Sequence, residues 1–386
     1  MSIAANQYDP SDEKKLQDVC SAFRIPGQLV SYELMTNGNI NTTYKVVCAD
    51  DADPEALGIP YIAQKVNQYV FEDPIQMMRN IDLVTEHIIA GQHQNGPDSR
   101  RYRLHFHHTA ERKNYYINDA GEFWRLTNFV EDSVAFNSTR DPKVLYMVGQ
   151  AFGRFQAQLI DFDAGQLTET LPDFHNTKKR LETLFAHAAE DPCGRCSEMA
   201  AEIEFLHSQT DRCSELSRSR ELGLLPLRVT HNDTKSNNVL LDKDTLEPLV
   251  VIDLDTVMPG LAAYDFGDAV RFAANNTIEN DPDISKVSLN LDLYRAFAEG
   301  YIQATANFLT EDEIDTMASG ALTITVELAS RFLDDYITGD RYFKISYPSE
   351  NKIRTRNQIA LAKDMLLHFD EMNRIVQETA AEVRKN

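Results

Sequence analysis

The chain has 386 residues, 42% of them apolar and 25% charged, enough for an ordinary globular core in two or three domains. Its formal charge of −22 argues against nucleic acid as a partner, because a phosphate backbone needs a cationic surface. No run of about 18 apolar residues suggests a membrane span, and the polar start, Met1 to Ser11, lacks the pattern of a secretory signal, so a cytoplasmic protein is expected.

Leu29 to Thr36 and Tyr44 to Cys48 read as strands, separated by the turn formers Asn37-Gly-Asn-Ile-Asn-Thr42. Tyr61 to Val66 is a third strand. Asp73-Pro74 sets an N-cap carboxylate before a proline at the first helical position, and Ile75, Met78, Ile81, Val84, Ile88 and Ile89 carry a helical period to about Ala90. Further strands are expected near Tyr102 to His107, at Tyr115 to Asn118 and, after the turn Asn118-Asp-Ala-Gly121, at Glu122 to Val130. Beyond Asp132 the pattern turns helical: Asp141-Pro142 to Phe162, Thr177 to about Leu222, and Leu291 to Gln377. The expected fold is α+β, a β-rich N-terminal lobe over 1–131 and a mainly helical C-terminal lobe over 132–386. The five scattered cysteines read as free thiols; Cys193-Gly-Arg-Cys196 has metal or redox spacing but lacks a second pair. His105, His107 and His108 read as a solvated strand edge.

Between the helical blocks, Val229 to Asp255 reads VTHNDTKSNNVLLDKDTLEPLVVIDLD. His231-Asn-Asp233 leads by a tight loop to Asn238. Val239 to Leu241 and Leu249 to Ile252 are strands joined by a turn, and the second ends at Asp253. Phosphoryl transfer requires a carboxylate to accept the proton of the attacking hydroxyl, and an amide and a second carboxylate to hold a metal. Asp233 suits the first role; Asn238 and Asp253 suit the second. Lys235 can neutralise the transferring group. Asp255 shares a strand face with Asp253 by period-two alternation, for a second metal or for the substrate. The spacing His-x-Asp-x-x-x-x-Asn is that of kinase catalytic loops. Asp and Asn are also common turn formers, but here they gather with a histidine on two segments whose strands should pair. Asp265-Phe-Gly267 spells a kinase metal motif yet follows Pro259-Gly260 instead of ending the hairpin. Asp265 and Asp268 are therefore assigned to capping a helix or bracing the loop. His231 is assigned a structural role, since the adjacent carboxylate already serves as base.

These stretches resemble the aminoglycoside phosphotransferase and choline kinase superfamily. Several runs are similar to N-acetylhexosamine 1-kinases: Gly38-Asn-Ile-Asn-Thr-Thr-Tyr44, Met78-Arg-Asn-Ile81, Arg228 to Lys235, Val251 to Thr256, Met258-Pro-Gly260, Asp265-Phe-Gly-Asp268, Arg331-Phe-Leu with Asp335-Tyr336, and Arg354-Thr-Arg356. The resemblance implies a two-lobed protein-kinase-like fold, ATP and Mg²⁺ as cofactors, and phosphorylation of N-acetylglucosamine or N-acetylgalactosamine at the anomeric hydroxyl. It carries over Asp233 as base and substrate contact, and Asn238 and Asp253 as magnesium ligands. It sets the phosphate loop at Gly38, Asn39, Asn41, Thr42 and Thr43, with a single glycine where protein kinases have a triple-glycine run. Lys65 is the candidate nucleotide lysine, with Gln64 on the opposite face as the alternative. Its helix partner is Asp82, with Glu86 as the rival. Phe129-Val130-Glu131 is the expected adenine hinge. For the sugar, the resemblance points to Arg331, Asp335 and Tyr336, although the i,i+4 spacing of Arg331 and Asp335 also suits a surface ion pair. The rival functions are a superfamily kinase acting on an amino alcohol, aminoglycoside, homoserine or another sugar, and a non-catalytic nucleotide-binding relative. The intact Asp233, Asn238 and Asp253 argue against the last.

Overall fold

The computed structural model describes residues 10–36, 40–49, 58–92 and 97–385. The chain divides into two units, residues 1–133 and 134–386. In the first, α1 (Pro10–Ala22) precedes β1 (Gln28–Met35), β2 (Thr42–Ala49) and β3 (Ile59–Lys65); then follow α2 (Pro74–Gly91), β4 (Tyr116–Ile117) and β5 (Phe123–Asn128). The strands form one antiparallel sheet in the order β1-β2-β3-β5-β4. The α2 start is the expected one: the Asp73 carboxylate accepts the Gln76 amide at 3.1 Å, and Pro74 opens the helix. The strand expected near Tyr102 to His107 is reduced to a 3₁₀ turn over Pro97–Tyr102 and a single bridge between Phe106 and Thr127.

Side-chain alternation gives this sheet two faces. On one, Tyr44, Val46, Cys48, Tyr61, Ala63, Trp124 and Leu126 join Leu16, Val19, Cys20 and Phe23 at α1 in an apolar core. On the other, the register aligns Thr43, Gln64 and Arg125 across β2, β3 and β5.

The second unit follows the short strand β6 (Ser133–Val134). It contains α3 (Pro142–Ala157), α4 (Thr177–Glu190), α5 (Ala200–Ser208), α6 (Thr210–Cys213) and α7 (Glu215–Glu221), so the helical stretch expected from Thr177 is broken into short pieces. Four strands come next: β7 (Arg228–Thr230), β8 (Val239–Asp242), β9 (Pro248–Val251) and β10 (Met258–Gly260). The rest is helical: α8 (Ala262–Ala273), α9 (Leu291–Thr305), α10 (Glu311–Asp315), α11 (Met317–Thr338), α12 (Glu350–Leu367) and α13 (Phe369–Lys385). β7 pairs with β10 and β8 with β9, both antiparallel.

Most of α11 is buried. α8 lies so near it that a Cβ on Gly320 would sit 2.0 Å from the Ala263 carbonyl oxygen, and one on Gly267 would sit 2.4 Å from the Gly320 carbonyl oxygen. This approach fixes α8, which carries Asp265 and Asp268. Among the described residues no helix is long and apolar enough to cross a membrane, and the five cysteines are free.

Candidate active site

The loop after β7 is held from below by α8. The backbone amides of His231 and Asn232 donate to the two Asp265 carboxylate oxygens, each at 2.8 Å, and the Gln156 amide of α3 adds a third donor at 2.9 Å. The Thr234 amide donates to Asp268 at 2.9 Å, and its hydroxyl donates to the Asp265 carbonyl at 2.6 Å. Burial pushes the Asp265 carboxyl above its ordinary range, opposed by His231 and these donors. Burial would raise Asp268 as well, but Arg271 at 3.0 Å and nearby Lys235 hold it below its ordinary value. Both aspartates brace the loop.

Asn232 has φ of 63°, a left-handed conformation that asparagine tolerates better than most residues. Its side-chain amide donates to the carbonyls of Thr230 and Thr256. His231 is fully buried against Phe152 and Phe155. Its Nε2 lies 2.9 Å from the Ile252 carbonyl and must donate there; its Nδ1 then accepts the Asp233 amide at 3.3 Å. With both nitrogens engaged, His231 is a structural residue.

Asp233 projects from this braced turn. One carboxylate oxygen pairs with Lys235 Nζ at 2.7 Å, and the other accepts from Asn238 Nδ2 at 3.1 Å. Burial would lower the Lys235 ammonium, but Asp233 and Asp268 raise it above its ordinary value. The Ile252 amide donates to the Asn238 carbonyl at 2.9 Å, continuing the register that pairs Val239 with Val251. Asn238 and Asp253 therefore sit at one end of the hairpin. Asn238 uses its nitrogen on Asp233, which leaves its Oδ1 as the atom that could serve a cation. Together with the exposed Asp253 carboxylate, this is an oxygen set suited to a hard divalent cation.

Asp255 departs from expectation. β9 ends at Val251, Asp253 adopts φ 61°, and residues 254–256 form a 3₁₀ turn, so the alternation stops before it reaches Asp255. Asp253 is exposed while Asp255 is buried.

The three residues implied for the sugar separate. Asp335 is buried and accepts the amides of Arg341, Tyr342 and Phe343 and the side chain of Asn351, at 2.7 to 2.9 Å. It caps the turn after α11 and makes no ion pair with Arg331, which corrects both of its expected roles. The Tyr336 hydroxyl donates to Glu198 and its ring lies under Arg195, so it too serves the packing. Arg331 instead rests over the rings of Phe174, Tyr342 and Phe343. A cavity of about 600 Å³ reaches from Asn232 in the loop and Gly260 in β10 to Tyr264, Phe174 and His175.

In the first unit, Gly38 and Asn39 lie outside the described residues. The Asn41 side-chain oxygen accepts the Asn67 amide at 3.0 Å, and Thr42 and Thr43 open β2. Lys65 shares the parity of Tyr61 and Ala63 and so falls on the α1 face. It pairs there with Glu122 at 3.2 Å, near Lys15 of α1. Asp82 pairs with His108 at 3.0 Å. The expected Lys65–Asp82 contact is thus absent, because α2 does not cover the face that carries Lys65. Gln64 takes the α2 side: it donates to the Thr43 hydroxyl at 3.1 Å and accepts from Arg125 Nε at 3.0 Å, while Arg125 Nη1 reaches Met78 of α2 at 3.9 Å. The Phe129 ring carries the Lys45 ammonium at 4.2 Å, and the Glu131 carbonyl accepts from Arg101 at 3.1 Å.

The model of the phosphotransferase enzyme family matches residues 92–310, more than half of the chain. The chain belongs to that family. Among solved structures it is similar to an aminoglycoside phosphotransferase from Alicyclobacillus acidocaldarius, with 14% identity, 100% of this chain and 97% of the other covered, and a TM-score of 0.57. A microcompartment-associated aminopropanol kinase gives 15%, 93% and 98%, with a TM-score of 0.60. A choline kinase from Cryptosporidium parvum gives 12%, 95% and 99%, with a TM-score of 0.57. At such identities the likeness establishes the fold, the two-lobed α+β kinase-like architecture.

Several residues of the phosphotransferase carry no signal in sequence. Gln156 and Arg125 sit inside periodic elements and read as ordinary helix and strand positions. His175 and Glu327 are 152 residues apart and meet only in the fold.

Proposed function

We propose that this phosphotransferase is an ATP-dependent kinase that, with Mg²⁺, phosphorylates an N-acetylhexosamine, N-acetylglucosamine or N-acetylgalactosamine, at the anomeric hydroxyl. The supporting observation is the cluster of Asp233, Lys235 and Asn238 on a loop braced by two buried aspartates, with Asp253 at the adjoining hairpin end. In this scheme Asp233 orients the acceptor hydroxyl and takes its proton. Lys235 exchanges its pairing with Asp233 for the transferring phosphoryl group. Asn238 Oδ1 and Asp253 hold the metal, which when bound neutralises triphosphate charge. Asn41, Thr42 and Thr43 contact the phosphates, and main-chain groups between Phe129 and Glu131 take the adenine. Arg125 and Lys45 are both on the Thr43 face, and nucleotide charge is assigned to Arg125, which bonds Gln64 beside Thr43, in place of Lys65.

Sugar is favoured over a cationic amine by the charge balance of the cavity. Its lining sets Glu169, Asp173, Glu182 and Glu221 against Lys178, Lys179 and Arg220, with Asp173 paired to Lys179, so its carboxylates are matched nearly one for one by cations and form no acidic cage for an ammonium group. The experiment is an ATP-consumption screen across free sugars, N-acetylhexosamines, choline and aminoglycosides, with the product position read by phosphorus NMR. Turnover of an N-acetylhexosamine, abolished in its methyl glycoside, is expected. Phosphate at the 6-position, or turnover of choline or an aminoglycoside alone, would contradict the assignment.

A further inference from the structure

The cavity beside the loop contains a histidine that the reaction scheme does not use. The His175 side chain is 7% exposed, and its Nδ1 lies 2.9 Å from the carboxylate of Glu327, a fully buried residue of α11. The other Glu327 oxygen accepts the Thr177 hydroxyl at 2.7 Å. Burial alone would raise the Glu327 carboxyl, but His175 and Thr177 hold it below its ordinary range. The ring is thereby fixed, flanked by Phe174 at 4.6 Å and Tyr264 at 5.3 Å between centroids. Its second nitrogen, Nε2, is buried with no hydrogen-bond partner among the described residues. Buried polar atoms are nearly always paired, so one left unpaired on a ring that lines a cavity is a candidate partner for a ligand group that reaches past the ring edge.

The position agrees with that role. The cavity that His175 lines is also lined by Asn232, the residue before Asp233, and its size of about 600 Å³ is that of a small-molecule site. The Phe174 ring beside His175 also carries the Arg331 guanidinium, at 5.5 Å. We propose that His175 Nε2 is a specificity-determining hydrogen-bond partner of the acceptor substrate, a polyhydroxylated small molecule held in this cavity. A hydroxyl can donate to a neutral imidazole or accept from a protonated one, so the pairing is open to it in either state. The proposal rests on the kinase assignment and adds to it the contact that selects the acceptor.

Two substitutions separate the nitrogens. His175→Asn keeps an amide nitrogen near the position of Nδ1, facing Glu327, and deletes Nε2. His175→Gln returns a polar atom near Nε2. The full-length chain is assayed with whichever compound of the screen the wild type phosphorylates, so failure of the N-acetylhexosamine assignment leaves this test in force. His175→Asn is expected to raise the acceptor KM by about 10- to 100-fold, the range for a lost polar contact in a desolvated site, with the ATP KM and Tm kept. His175→Gln is expected to recover part of the loss. An unchanged acceptor KM in His175→Asn would overturn the proposal. So would parallel rises in both KM values with a lowered Tm in both variants, the mark of a packing role.

Discussion

At the scale of single residues, the aspartates of the site divide by burial into braces and reactants. Asp265 is buried beneath two loop amides and the Gln156 side chain, whereas Asp233 is 27% exposed and paired with a lysine. Asp265→Ala leaves those donors unpaired, so a loss of about 3 kcal/mol or more in stability is expected together with turnover. Denaturant unfolding and kcat on the same variant check it; wild-type stability would remove Asp265 from the brace. Glu327 supplies a pH test. Its folded-state pKa lies below the ordinary value, so its contribution to stability is complete above about pH 4 to 5 and is lost as pH falls through the lowered value. Tm measured from pH 7 down to pH 3 should show Glu327→Gln losing less than the wild type over the acid range. An identical acid slope would contradict the His175–Glu327 pairing. The bracing role of Asp265 was legible in sequence because its motif stands apart from the hairpin. The capping role of Asp335 was not, since three of its donors lie in a turn whose path only the fold reveals.

Among the elements, local chemistry carried furthest. The loop of Asp233 and the hairpin of β8 and β9 lie within about two dozen residues, and turn formers with short apolar runs specify them without distant partners. α1 was not read from the sequence: Leu16, Val19, Cys20 and Phe23 follow the i, i+3, i+4, i+7 stripe, but the charged composition around them hid it. Its omission cost the assignment of Lys65: a strand residue can be placed on a face only when the helix covering that face is known. The contact of α8 with α11 admits no side chain at Gly320. Gly320→Ala should force the helices apart, at about 1–3 kcal/mol by the usual scale of overpacking, and loosen the loop that α8 supports. A Tm equal to wild type would show that the approach is less tight than drawn.

For the whole molecule, family membership and fold establish a phosphotransferase, while the substrate rests on side chains gathered from distant parts of the sequence. The net charge of −22 did not discriminate, since the cavity carries both signs. If Asn238 and Asp253 hold the metal, chelator should abolish turnover and added Mg²⁺ restore it. Asp253→Ala should then require far more Mg²⁺ at unaltered Tm, whereas an unchanged Mg²⁺ titration would exclude Asp253 as a ligand. The most direct test of the catalytic assignment is Asp233→Asn, which keeps the shape and hydrogen-bonding reach of the side chain and removes the proton acceptor. Base contributions are typically about 10²–10⁴-fold, so kcat is expected to fall by that factor with Tm and nucleotide affinity nearly unchanged. Normal turnover with a lowered Tm would show that Asp233 only caps its loop, and would contradict the assignment of this loop as catalytic.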